Sequence, residues 1–350
     1  MRLIFVHYVY EDRGSAQDLH NYAEIARALG HEVVIYGPPD GKSSFNYSLN
    51  IESADAVIFI FEWTTKLQQG DQLDFVRLVG KIPRQRRIVI DCDGKYNGAI
   101  SVVGDYNHAD SAASQFWIDV CDSLSDKICQ PTLHPLRKNV RPFFFHAYNP
   151  AWEVPLDFSA KEYGMFYVGN NWFRWRPMEQ VLRVLEPVRQ QVGRIGLVGY
   201  GWDSLPPWAN PTVIEDAYRS DPVYLGELAI EVSPPVRFDQ VIDSMGKGIF
   251  TPVIYRPLFD HLRLVTCRTF ETPAANTIPL FGQDATYVEE IYGKPACELV
   301  LGNEHPQEKI LDVLRRPEYY GDIVQGTRRY LAEKHSYAAR LRELIEIVES

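Results

Sequence analysis

The sequence predicts an α/β protein with two Rossmann-like domains in tandem. Apolar runs of strand length alternate with helical patterns through the first 130 residues, the signature of a parallel, doubly wound sheet. A second alternation starts at Gly164. Between them, residues 131–160 carry Pro131, Pro135, Pro142, Pro150 and Pro155, which exclude long regular elements. A chain of 350 residues suffices for about two domains, each with its own core. The expected division is a first domain over 1–155, a second over 156–330 and a terminal helix over 331–350.

The first domain opens with an apolar strand, Leu3 to Tyr8, followed by a polar loop that carries Asp12 and Gly14. Leu19, Tyr22, Ala23, Ala26 and Leu29 then recur at helical spacing. Gly30 stops the helix, and His31 to Tyr36 forms the next strand. Two more buried strands run from Ala54 to Phe61, ending at Glu62, and from Arg87 to Asp91, ending at Cys92-Asp93-Gly94. Ligands of open α/β sheets sit at the carboxyl ends of strands, so chemistry is expected at these termini. The first loop lacks GxGxxG, which argues against a dinucleotide oxidoreductase. Asp91-Cys92-Asp93 reads either as a metal-holding DxD or as a turn, since Asp93-Gly94 is a strong turn dipeptide. Gly104 to His108 is a polar loop.

In the second domain, GMFYVG ending at Gly169 reads as the first strand. Asn170 follows, and then Arg174 and Arg176 just before Pro177, where a helix is expected to begin. Arginines beside a helix N-terminus make an anion site; solvated loop arginines are the alternative. GLVGYGW places Gly199 and Gly201 after the next strand, where glycine serves either a tight turn or the close approach of a ligand. Arg256 adds positive charge ahead of RLVTCRTFETPAANTIPLF, residues 263–281. That stretch reads as a strand-like run (Leu264 to Thr266), then Arg268, Phe270 and Glu271, a helix start at Pro273, a turn at Asn276 and a second apolar run. The last helix is capped by Ser336 and shows Tyr337, Ala338, Leu341, Leu344, Ile345 and Val348 on one face.

Composition narrows the function class. Hydrophobic residues at 45% and charged residues at 23% are ordinary for a globular protein. The formal charge of −10 argues against affinity based on a nucleic-acid backbone, so DNA is a poor first guess for a partner. Five widely spaced cysteines without CxxC fit neither a disulfide framework nor a zinc site, and imply a reducing cytoplasm. No run approaches the roughly 18 apolar residues of a membrane span. The N-terminus reads as a strand, without the cleavage site of a signal peptide.

The 263–281 stretch resembles the R-x-F-E signature in the second domain of GT-B glycosyltransferases. The opening strand–loop–helix–GHEV–strand and the GLVGYGW step are similar to the same family, nearest to its CgeB-like group with a "glycosyl transferases group 1" C-terminal domain. The motif order is also similar to that of phage DNA β-glucosyltransferase. The resemblance implies two domains facing each other across a cleft, with the C-terminal helix crossing back to the first. It implies transfer of a sugar from a nucleoside-diphosphate sugar, UDP- or GDP-linked, to an acceptor hydroxyl, with no bound metal. It makes Glu271 the ribose contact, and Arg268, Arg174, Arg176, Arg256, Gly169, Asn170, Gly199 and Gly201 the nucleotide and phosphate contacts. Asp93 or Asp91 becomes the general base, while His108 contacts the donor sugar, shares base duty or faces solvent. Asp12, Gly14 and Glu62 fall on the acceptor side. The implied acceptor is a carbohydrate, a lipid or a small molecule.

The chain departs from the pattern in three places. The E-x7-E pair of many retaining enzymes is incomplete, because Pro279 stands eight residues after Glu271. The usual phosphate lysine has no obvious counterpart, and Asn276-Thr277 replaces the glycine before the last strand. Retention and inversion of configuration both remain open. A nucleotide-sugar epimerase and a non-catalytic nucleotide- or sugar-binding protein are the rival readings.

Overall fold

The structure is a computed structural model that describes residues 1–7, 14–39, 44–62, 79–207 and 216–350. Apolar β-branched and aromatic runs build two parallel sheets. The first contains β1 (Arg2–Val6), β2 (Glu32–Tyr36), β3 (Tyr47–Ser48), β4 (Ala56–Phe61), β5 (Arg87–Asp91), β6 (Lys127–Gln130) and β7 (Val140–Pro142), in the order β3-β2-β1-β4-β5-β6-β7. The second contains β8 (Tyr163–Val168), β9 (Ile195–Val198), β10 (Ile230–Ser233), β11 (Gly248–Val253) and β12 (Ile278–Phe281), in the order β10-β9-β8-β11-β12. Register is set by apolar partners such as Leu3 with Val33 and Ala56, Ile60 with Ile90, and Met165 with Ile195.

Each order reverses once, between β1 and β4 and between β8 and β11. Such switch points open a crevice at the carboxyl ends of the strands. Side chains alternate between the two buried faces, as the strand repeat requires. Leu3 and Phe5 pack on one side with Leu19, Tyr22 and Ala26 of helix α1 (Gly14–Ala28), while Ile4 packs on the other beside Val57 and Val89. Helix α2 (Ser111–Leu124) covers that second face and is capped by Asp110, which accepts from Ala113 N at 2.8 Å. Helix α3 (Trp175–Leu185) places Met178, Val181, Leu182 and Leu185 in the core of the second sheet.

Two helix starts differ from expectation. Helix α3 begins at Trp175, so Pro177 is its third residue rather than its first. Helix α4 (Cys267–Ala274) begins well before Pro273, because Thr266 and Thr269 form a capping box that fixes its first turn. Leu264 to Thr266 is not a strand: Val265 N donates to Pro131 O at 2.7 Å, tying the segment to the linker. Pro273 lies in the last turn of α4, where the carbonyls of Pro273, Ala274 and Ala275 accept from the buried Arg328 guanidinium. Arg328 comes from helix α5 (Pro317–Lys334).

Helix α6 (Tyr337–Glu349) crosses back to the first sheet, as expected. Ser336 caps it, and Tyr337, Leu341, Leu344 and Ile347 join the core formed by Leu3, Phe5 and Ile58. Lys127 Nζ donates to Val348 O at 2.7 Å on the same side. Among the described residues no helix is long and apolar enough to cross a membrane.

Candidate active site

The carboxyl ends of the two sheets meet where α1 and α4 begin. Gly14, the first residue of α1, lies against the first residue of α4: a Cβ there would sit 3.1 Å from Cys267 Sγ. No larger side chain fits without displacing this contact. Both helices therefore point the positive ends of their dipoles toward one seam.

On α4, Arg268 and Glu271 lie three residues apart and so share a face. Their Nη1 and Oε2 atoms are 2.9 Å apart, with Glu271 only 3% exposed. That oxygen lacks the alignment of a hydrogen bond from any described residue. Burial raises the Glu271 carboxyl above its ordinary range; Arg268 opposes the shift and Asp18 adds to it. A buried carboxylate oxygen without an aligned donor costs about 1–3 kcal/mol, which a hydroxyl-bearing ligand would recover.

Across the seam stands a buried polar group that sequence reasoning did not assign. Asp18 of α1 accepts from Tyr337 O–H at 2.5 Å and pairs with His146 Nδ1 at 2.7 Å. Burial alone would lower the His146 pKa, but Asp18, Glu62 and Glu271 bring it up to about 9, so the ring is an imidazolium at neutral pH. Glu62, at the end of β4, has its carboxyl pushed up by burial, against the pull of His146 and a hydrogen bond from Ser15. His7, after β1, bonds Ser15 Oγ at 3.0 Å and lies 4.0 Å from Glu62. Burial lowers its pKa to about 4, which leaves it neutral. Of the expected acceptor-side residues, Gly14 and Glu62 thus reach the seam, while Asp12 lies outside the described residues.

The two aspartates at the end of β5 differ in their surroundings. Asp91 is fully buried and accepts from Lys95 N (3.0 Å), Tyr96 N (2.7 Å) and Gln130 Nε2 (2.8 Å). Its oxygens thus shape the turn, a structural role beside the base role expected of it. Asp93 is 15% exposed and pairs with Lys95 Nζ at 3.2 Å. His108 does not face solvent, although its neighbours Tyr106, Asn107 and Ala109 do. It is 8% exposed, and neither ring nitrogen has a hydrogen-bond partner among the described residues. Burial brings its pKa down to about 4; Asp93 opposes the shift and Arg256 reinforces it.

Arg256, expected at the phosphates, is paired with a carboxylate of the first half. Its Nε and Nη2 donate to Asp105 Oδ2 and Oδ1, both at 2.7 Å, and its guanidinium lies over Phe173 and Phe259. Asp105 belongs to the loop that carries His108. Arg174 stands at the N-cap position of α3 without a capping bond of its side chain, and its Nη1 donates to Asn170 O at 3.1 Å. Arg176 is exposed, with its Cδ against Gly104 of the first half. Asn170 accepts from Tyr200 N at 2.8 Å, locking the loop after β8 to the loop after β9. Gly199, at φ 141°, is required by that same contact: a Cβ would lie 2.4 Å from Gly169 O. Gly201 faces Tyr218 in the same way. These glycines serve loop-on-loop packing, which builds one compact platform beside the start of α3.

No protein-family profile and no curated protein matches the sequence. Solved structures do match. An α-glucosyltransferase in complex with UDP and a 13-mer DNA with an A:G mismatch aligns over 100% of this chain and 99% of its own, at 13% identity and a TM-score of 0.63. A T4 phage β-glucosyltransferase aligns over all of both chains, at 11% identity and a TM-score of 0.58. A T4 phage enzyme in complex with UDP and Mn2+ gives 12% identity and a TM-score of 0.57. The chain has the GT-B fold.

In GT-B terms, the seam between α1 and α4 is the interdomain cleft. Glu271, Arg268, Gly14, Glu62 and Asp93 were legible candidates near it. His7, Ser15, Asp18, His146 and Tyr337 were not. The only signal for Asp18 was a carboxylate amid the apolar face of α1, four residues before Tyr22.

Proposed function

We propose that this protein is a glycosyltransferase that moves a sugar from a UDP-linked donor to an acceptor hydroxyl, with no resident metal. The buried Arg268–Glu271 pair at the cleft carries the reading. Its unaligned carboxylate oxygen suits vicinal ribose hydroxyls, and its guanidinium suits a diphosphate. Arg174 and the first turns of α3 and α4 add donors for the leaving diphosphate, an electrostatic role that grows as the bond to the sugar breaks. The three hydrogen bonds that Asp91 accepts in the turn favour charge neutralisation by cationic side chains over a metal shared with Asp93.

Asp93 is the proposed base. It takes the proton of the acceptor hydroxyl as that oxygen bonds to the anomeric carbon; the carbon–oxygen bond to phosphate breaks and UDP leaves. The neighbours' complexes contain DNA, whereas the charge of −10 favours a carbohydrate, lipid or small-molecule acceptor for this chain.

The test is UDP release from UDP-glucose in the presence of EDTA, with free sugars, glycosides and a 13-mer DNA containing an HMU base as parallel acceptors. Transfer to any of them supports the reading, and the productive arm names the acceptor class. Sugar isomers without UDP release would instead indicate an epimerase. Binding without turnover in any arm would indicate a binding protein.

A further inference from the structure

The loop 100–109 belongs to the first half but is fastened to the second. Ile100 and Val102 pack on Leu258, Leu262 and Leu264. Gly104 lies against Arg176, and Leu258 N donates to Asp105 Oδ2 at 3.2 Å. At the centre, the Asp105–Arg256 fork is almost completely buried, with the side chains 0% and 5% exposed. The same loop is closed on itself by Ile100 N donating to His108 O at 2.7 Å. Arg256 is held in turn by Phe173, which adopts φ 51°, a conformation unusual for a bulky residue. A buried ion pair joining segments 151 residues apart is costly to desolvate and is a poor choice for stability alone. Its geometric effect is specific: it pins the loop that carries His108 to the second half, where Leu262 and Leu264 touch both that loop and Gly94, the residue after Asp93.

We infer that Arg256 is a positioning residue: through Asp105 it holds the 100–109 loop in the arrangement that completes the first-domain wall of the cleft beside Asp93. This rests on the glycosyltransferase reading for its functional meaning, while the mechanical part stands by itself. Arg256 is then no phosphate ligand. Its guanidinium spends its fork on Asp105, and the nucleotide is left to Arg268, Glu271 and Arg174.

The experiment compares the wild type with Arg256→Lys, Arg256→Met and the double variant Asp105→Asn/Arg256→Met, which removes both charges and so avoids a stranded buried ion. Three quantities are read: the UDP dissociation constant, amide hydrogen exchange over 100–109, and UDP release from UDP-glucose with water as acceptor. Positioning predicts that UDP affinity stays within about twofold. It predicts exchange over 100–109 at least tenfold faster in Arg256→Met, with β5 and β8 unchanged. It also predicts kcat down about tenfold or more at constant KM, and partial recovery in Arg256→Lys. A tenfold loss of UDP affinity with unchanged exchange would overturn it and return Arg256 to the phosphates. Unchanged exchange with unchanged kinetics would overturn it as well. If the wild type binds neither UDP nor UDP-glucose, the glycosyltransferase reading fails, and the exchange arm still decides whether Arg256 fixes the loop.

Discussion

His146, in the segment between the two sheets, pairs with Asp18 of α1 at 2.7 Å, and both side chains are buried. The pair holds the linker against the helix whose first residue touches α4. Its charge state matters for stability. The folded pKa of His146, about 9, lies above the ordinary value of 6.5. The pair's contribution is therefore complete below about pH 6.5 and is lost as pH rises toward 9. At about 1.4 kcal/mol per unit, the amount at stake is on the order of 3 kcal/mol. Denaturant melts at pH 6.5 and 9.5 should show this loss in the wild type. In His146→Gln most of the difference should vanish. An equal pH dependence in both proteins would contradict the assignment.

His7, His108 and His335 act in the opposite sense. Burial brings each down to about 4, so the unfolded chain binds protons that the folded chain refuses. Stability should fall as pH drops from about 6.5 toward 4. Histidine C2–H resonances should show these three rings neutral at pH 5.5 and His146 still protonated at pH 8. A His108 that titrates near 6.5 would place it in solvent.

Asp91 and Asp93 should respond differently to the same change. Asp91→Asn replaces an oxygen that receives backbone N–H bonds and should cost roughly 1–3 kcal/mol of stability. Asp93→Asn should leave the melting temperature near that of the wild type and lower kcat by 100-fold or more if it is the general base. Full turnover in Asp93→Asn would remove it from the chemistry.

Leu341→Ala tests the crossing helix. Leu341 is fully buried in the core of the first sheet. The truncation should cost about 2–5 kcal/mol in urea melts. A cost below 1 kcal/mol would mean that α6 contributes little to that core.

The central strands were legible because β4, β5, β8 and β9 are buried on both faces and read as continuous apolar runs, whereas the half-exposed edge strands β3, β7 and β10 carry no such run. The helix starts were less so. Thr266 and Thr269 look like ordinary polar residues, yet their reciprocal capping begins α4 at Cys267, ahead of the stronger proline signal at Pro273. The site was legible where its partners are close in sequence, as for Arg268 and Glu271. It was illegible where they are distant. Asp18 and His146 are 128 residues apart, and Asp105 and Arg256 are 151 apart; no local periodicity links either pair. Arg256 was read as a phosphate ligand for that reason: a lone arginine in a turn shows its charge in the sequence but not its carboxylate.

The central claim is that Glu271 and Arg268 form the nucleotide site. Isothermal titration of UDP into the wild type and Glu271→Ala, in EDTA, tests it most directly. The account predicts saturable binding by the wild type and a loss of about 1–3 kcal/mol in the folded variant, from a buried charged hydrogen bond to ribose. Equal affinity in the two proteins, or no binding by the wild type, would contradict it.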